Sequence, residues 1–332
     1  MSWKESDDPL VPKILRDEFR LGAVGGVEWY DRESTNGVFR AQTTHGPVII
    51  KRLGRPGTIE WLEFQADTLQ ALHECGFPAQ PLLRCPDGRR TVLAHDEQWQ
   101  VTPFIAGRPF TPGSEADVDV AAACLSRLHG LSALAPEPSP TSPIRDAEAW
   151  LHLDETDLSE VAATIQELAP HTPSEVFDKY RAAWQRARQT LSLEGYQALP
   201  HRLTHGEYVG SNLLYGSDDV ICIVDWDGLQ VRPRLADLAR ASLFFPRRVR
   251  GGIEVIESLV PRFLRVATQS EPLLDNERDA IIPFLELYFV PIPAFLRMIA
   301  ERNPTMLDWY LGWSSAAAGR VRQILTRLLE GC

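Results

Sequence analysis

The sequence has no pair of cysteines at metal-binding or redox spacing. Its five cysteines (Cys75, Cys85, Cys124, Cys222 and Cys332) are odd in number, scattered and unaccompanied by a histidine cluster, which argues against a disulfide framework and against a zinc site. Basic residues are outnumbered, leaving a net charge of −11. So acidic a surface disfavours nucleic acid and anionic membranes as partners, because phosphate backbones recruit basic patches; it would suit a cationic small molecule. Long apolar runs are missing too. The opening MSWKESDDPL is polar and acidic, with no signal-peptide core. The most apolar late segment, Leu285 to Leu296, contains Pro291 and Pro293 and is too short to span a bilayer. These absences predict a cytoplasmic protein. The glycine-rich stretch Gly22 to Gly26 lacks both GxGxxG and the GK[ST] of a phosphate loop.

What is present divides the 332 residues into two parts. Residues 20 to 100 are rich in strand and turn signals: breaks at Gly25-Gly26, Asn36-Gly37 and Gly46-Pro47, and a short apolar strand Val48 to Ile50 that ends in Lys51. A helix is predicted from about Ile59 to Glu74, with Leu62, Gln65, Ala66, Leu69 and Leu72 on one face. Two more strands are expected near 91–94 and 99–104. Beyond Ile105 to Pro109 the helical period takes over. Val118 to Leu131 is a helix with Ala122, Leu125, Leu128 and His129 inward, His129 reading as a satisfied core histidine. Further helices are expected near 146–168, 173–194, 233–246, 252–269, 276–302 and 304–331. Residues 133 to 144 are rich in Pro and Ser and read as a connection.

The chemistry concentrates in HGEYVGSNLLYGSDDVICIVDWDGLQVRPRLAD, residues 205–237. An acid, Glu207, is followed five residues later by Asn212, and an apolar strand, Val220 to Val224, then delivers Asp225. Phosphoryl transfer needs such a set: one carboxylate to orient and deprotonate a hydroxyl, and an amide oxygen and second carboxylate to hold Mg²⁺ against a triphosphate.

This spacing resembles the catalytic and metal-binding loops of protein kinases, and HG-acid…N…DWD…DLA more closely resembles the aminoglycoside phosphotransferase-like kinases, which include choline, homoserine and spore-coat kinases. The resemblance covers about residues 20 to 245. It implies an α+β, protein-kinase-like bilobal fold: an antiparallel sheet with one packed helix over 1–101, a hinge at 102–107, and a mainly helical lobe over 108–332. It implies ATP and Mg²⁺ as cofactors and a small-molecule hydroxyl, an amino sugar or amino alcohol among others, as acceptor. Glu207 then stands at the catalytic base and Asn212 and Asp225 at the metal ligands. Lys51, Ser34, Asn36, Gln100 and Thr102 fall at the nucleotide, with the 100–107 backbone reading adenine. Asp227, His205 and Asp237 are supporting residues. Oligomeric state is left open.

Two positions depart from the family pattern. The base is Glu207 where aspartate is usual, and a displacement of about 1 Å can cost about 10²-fold in rate. The helix that should pair Lys51 with a glutamate offers Gln65, while Glu63 and Asp67 fall on its outer side. A catalytically silent nucleotide-binding or structural protein is therefore the competing reading.

Overall fold

Strand periodicity organises the N-terminal part. In the computed structural model, which describes residues 3–30, 36–143, 147–249 and 251–329, six strands form one antiparallel sheet: β1 (Trp3–Glu5), β2 (Val24–Tyr30), β3 (Gly37–Thr43), β4 (Gly46–Arg52), β5 (Thr91–Ala94) and β6 (Glu97–Pro103). They run in the order β1-β2-β3-β4-β6-β5. Alternate residues point to opposite faces. Phe39, Ala41, Val48, Ile50, Trp99 and Val101 pack on Val11, Ile14 and Leu15 of helix α1 (Leu10–Asp17). Their neighbours Val38, Ile49, Lys51, Gln100 and Thr102 face a cleft on the other side. Lys51 pairs in register with Val38 and with Gln100.

Helix α1 lies outside the elements expected from sequence; at eight residues, with Pro12 in its first turn, it is too short to show periodicity. Gly25 and Gly26 do not end a strand. They lie inside β2, at a register shift between Gly25 and Glu28, where glycine accommodates the bulge. Gly46-Pro47 likewise begins β4 instead of ending β3.

Helix α2 (Ile59–Glu74) has the residue range the periodicity predicts. Thr58 caps it by accepting the N–H of Trp61. Its apolar face joins a cluster with α3 (Glu115–Gly130) and with residues near 203–229, so α2 ties the sheet to the rest of the chain.

The remaining chain is mainly helical: α4 (Ala147–Leu151), α5 (Glu155–Leu168), α6 (Ser174–Arg188), α7 (Leu193–Gln197), α8 (Leu235–Phe244), α9 (Leu259–Ala267), α10 (Asp275–Tyr288), α11 (Pro293–Arg302) and α12 (Pro304–Leu329). Three helices expected as continuous are broken. Asp154 caps α5 through the N–H groups of Thr156 and Asp157. Ser192 caps α7. Pro293 opens α11, where its missing N–H costs nothing. The 252–269 helix begins only at Leu259. Two small sheets, β7 (His201–Thr204) with β10 (Gln230–Pro233) and β8 (Leu213–Tyr215) with β9 (Val220–Ile223), carry the loops of the candidate site. Among the described residues, no single helix is long and apolar enough to cross a membrane.

Candidate active site

The loop after β7 and the turn after β9 are held together by backbone hydrogen bonds that converge on two buried side chains. Asp237, fully buried in α8, accepts the N–H of His205 at 2.6 Å and of Gly206 at 2.9 Å. The His205 ring spans both loops: Nδ1 accepts the N–H of Glu207 at 3.1 Å and Nε2 donates to the carbonyl of Val224 at 3.0 Å. Burial lowers the His205 pKa, which suits a neutral ring that accepts at one nitrogen and donates at the other. Two glycines allow the close approach. Gly206 has φ +87°, and a Cβ there would fall 2.6 Å from the Cα of Gly228.

Asp225 terminates the β9 segment in the left-handed region, φ +69° and ψ +55°, a conformation that Asp tolerates better than most residues. The chain then makes a single 3₁₀ turn, Trp226–Gly228. That turn carries Asp227 back beside Asp225, so both carboxylates meet Lys51. Lys51 Nζ lies 2.6 Å from Asp225 Oδ1 and 2.5 Å from Asp227 Oδ1. Burial alone would favour the neutral amine, but the two carboxylates outweigh it and hold the ammonium above the ordinary lysine pKa. Asn36 Nδ2 donates to Asp225 Oδ1 at 3.2 Å and to Asp227 Oδ2 at 2.9 Å, and Asn36 Oδ1 accepts the N–H of Gly54.

Lys51 therefore finds its acids outside α2, whose Glu63 and Asp67 are exposed. Gln65 is buried, as its helical face predicts, but serves another purpose. Its amide donates to the carbonyl of Trp226 at 3.0 Å and accepts from Gln100 Nε2 at 2.8 Å. With Trp61 Nε1 donating to the carbonyl of Leu229 at 3.0 Å, it anchors α2 to the Asp225–Asp227 turn.

Glu207 and Asn212 sit together: Asn212 Nδ2 donates to the carbonyl of Glu207 at 3.0 Å, which orients the amide with its nitrogen toward that loop. Among the described residues, no group of three His, Cys, Asp or Glu forms a metal cage. Asp225 and Asp227 form a smaller oxygen set, already compensated by one cation, Lys51, and Asn212 is tied to the residue adjoining Asp225, its backbone carbonyl accepting the N–H of Val224 at 2.9 Å. Such a donor set fits a hard divalent cation that keeps most of its other ligands from water and phosphate. Glu207 is half-buried, and its pKa is raised, first by burial and then by repulsion from Asp225; Arg55 and Arg240 oppose the rise.

Two cavities are lined by residues of this centre. The first, about 540 Å³, lies under the sheet and holds Asn36, Lys51, Asp225 and Asp227 at one end. Its apolar portion includes Val38, Ile49, Leu82, Ile105, Leu214 and Ile223. Thr102 lines it beside Gln100, and the rings of Trp3 and Tyr30, tilted at 45° to each other, reach it from β1 and β2. The second, about 300 Å³, has Glu207 in its wall with Arg55, Arg240 and the aromatic residues Trp150, Tyr288, Phe295 and Trp313. Of the residues expected at the nucleotide, Lys51, Asn36, Gln100 and Thr102 come together at the first cavity; Ser34 lies outside the described residues. His129 is buried, but the reading of it as satisfied does not hold: among the described residues its Nε2 has no hydrogen-bond partner and lies 4.0 Å from Asp237 Oδ2. The second cavity was not legible as a site, because its walls are scattered from residue 55 to 313 and its aromatics resemble ordinary core.

A family model described as a phosphotransferase enzyme family matches residues 30–268. Among solved structures, an aminopropanol kinase associated with a microcompartment is 16% identical, with 97% of this chain and 100% of that chain covered and a TM-score of 0.71. An aminoglycoside phosphotransferase from Alicyclobacillus acidocaldarius is 15% identical over 98% of both chains, TM-score 0.65. A spectinomycin phosphotransferase in complex with ADP and spectinomycin is 13% identical over 97% of this chain and 99% of that chain, TM-score 0.58. At these identities the likenesses establish the fold. No curated protein matches the chain in sequence.

Proposed function

The chain belongs to the phosphotransferase enzyme family, and from that premise we propose that it transfers the γ-phosphoryl group of ATP to a hydroxyl of a small molecule in an Mg²⁺-dependent reaction. One observation carries the reading: Lys51, Asp225 and Asp227 meet within 2.6 Å in the wall of one cavity, and Glu207, close enough to Asp225 to be repelled by it, lines a second. The nucleotide occupies the first cavity, its base in the apolar portion near the 100–107 backbone and its phosphates at Lys51. The hydroxyl compound occupies the second.

Asn212 and Asp225, with Asp227 beside them, would hold Mg²⁺, which neutralises charge on the transferring phosphoryl group when bound. Lys51, kept protonated by its two acids, supplies a fixed positive charge for phosphate oxygens. Glu207 orients the acceptor hydroxyl and takes its proton late in the transfer. The new bond joins the acceptor oxygen to Pγ as the bond from Pγ to the β–γ bridging oxygen breaks, and ADP leaves with that electron pair. A raised Glu207 pKa moves the base toward neutral pH, where proton transfer is best matched. Of the two features that motivate a silent protein, Gln65 has a structural account. Gln65 is occupied in anchoring the Trp226 carbonyl, and Lys51 has two acids without it.

The test is ADP release over a panel of hydroxyl-bearing metabolites, with wild type compared to Asp225→Asn, which keeps a residue tolerated in the left-handed conformation. We expect turnover to fall about 10²–10³-fold, the scale on which losing one electrostatic stabiliser acts, with a melting curve close to wild type. Undiminished turnover in that variant would overturn the proposal.

A further inference from the structure

The acceptor cavity has a charge balance opposite to that of the whole chain. Although the protein carries −11, Glu207 is the one carboxylate among the described residues that line this cavity, beside two guanidinium groups, Arg55 and Arg240. Arg240 is 5% exposed; its Nε is bound to the carbonyl of Ala236 and its Nη2 lies 3.7 Å from Asp237 Oδ1. Asp237 also accepts two backbone N–H groups, so its charge is shared. Arg55, from the segment between β4 and α2, stacks over the ring of Phe295 in α11 at 5.7 Å, and among the described residues it makes no ion pair. The rest of the wall is apolar and aromatic: Trp150, Tyr288, Ile292, Phe295 and Met298. Trp313 adds a buried indole N–H with no partner among the described residues.

We propose that the acceptor is a compact hydroxyl compound with an aromatic or apolar body and an anionic group held by Arg55, and not a polyamine sugar. The inference rests on the phosphotransferase reading of the same site. Its physical basis is a shortage of partners. Among the described residues, a cationic acceptor would find one carboxylate, Glu207, besides the aromatic faces, and pairing with that carboxylate would hold the base away from its hydroxyl. A carboxylate meets an unpaired guanidinium, whose planar fork of donors matches it. The volume, about 300 Å³, is at the small end of the range for ligand pockets and suits one ring better than several.

Three probes of one shape separate the cases: 4-(hydroxymethyl)benzoate, 4-methylbenzyl alcohol and 4-(aminomethyl)benzyl alcohol, which present an anion, a neutral group and a cation. Binding is measured calorimetrically with the non-hydrolysable nucleotide AMP-PNP and Mg²⁺ present. We expect the anion to bind about 10-fold or more tighter than the other two, as one charge-assisted pair implies. Arg55→Met, which keeps the apolar stem over Phe295, should abolish that preference, and Arg55→Lys should retain part of it. Preference for the cation, equal binding of all three, or an anion preference that survives Arg55→Met would each overturn the inference. Failure of the underlying reading looks different: AMP-PNP with Mg²⁺ would then not raise the melting temperature of the wild-type protein at all.

Discussion

Removing the Asp237 carboxylate should unfasten the loop after β7, at a cost that can be worked from its contacts. Asp237 is fully buried and accepts two backbone N–H groups at 2.6 and 2.9 Å. Hydrogen bonds to a charged group contribute about 1.5–3 kcal/mol each. Asp237→Ala strands both donors and also removes the acid near Arg240. The loss is therefore about 3–6 kcal/mol, a large share of a total stability of about 5–15 kcal/mol. In a protein of this size that corresponds to a fall in melting temperature of roughly 4–9 °C. Asp237→Asn keeps one carbonyl oxygen but turns an NH₂ toward the other donor, so it should fall between Ala and wild type. Circular dichroism melts of the three proteins read this directly, and if Asp237→Ala does not fold, Asp237→Asn still supplies the comparison. An Asp237→Ala protein melting within about 2 °C of wild type would refute the reasoning, because two buried N–H groups would then have lost their acceptor at no cost.

Further predictions concern ionisation. Burial and Asp225 raise the Glu207 pKa above 4.5, so its contribution to stability is full below about 4.5 and is lost as pH rises through the raised folded value. Glu207→Gln should accordingly melt higher than wild type at pH 8 and alike near pH 4, while turnover falls; Glu207→Asp should keep more turnover than Glu207→Gln. Equal melting temperatures at pH 8 would count against a charged Glu207 in that setting. Burial lowers His129 from 6.5 to about 4. Its contribution is full above pH 6.5 and is lost as pH falls toward 4, with a slope of about 1.4 kcal/mol per pH unit. Urea titrations of His129→Leu across pH 4–6.5 should show a flatter dependence, and an unchanged slope would contradict it.

Features legible in the sequence share one physical property: they are set by neighbours a few residues away. The α2 range and its buried face follow from a 3.6-residue period. The apolar run ending in Asp225 is a local pattern, and so is the five-residue step from Glu207 to Asn212. Helix breaks at 152–154 and 289–292 were missed because the apolar period continues across them, and there the decision falls to caps and prolines. The short α1 was missed for want of length.

Sequence alone determined that an acid, an amide and a strand-end carboxylate would be carried by adjoining segments, and that a lysine would end a sheet strand. Tertiary structure decided what these groups meet. Lys51 and Asp225 lie 174 residues apart in the chain, and no periodicity encodes that contact. Gln65 could be placed on an inner face, but its partner, the Trp226 carbonyl, depended on how α2 packs against a distant turn. The second cavity depended on folding most of all: Arg55 and Phe295 come from opposite ends of the chain. A net charge of −11 averages over the whole surface, whereas a ligand responds only to the few charges that folding places around it and shields from water.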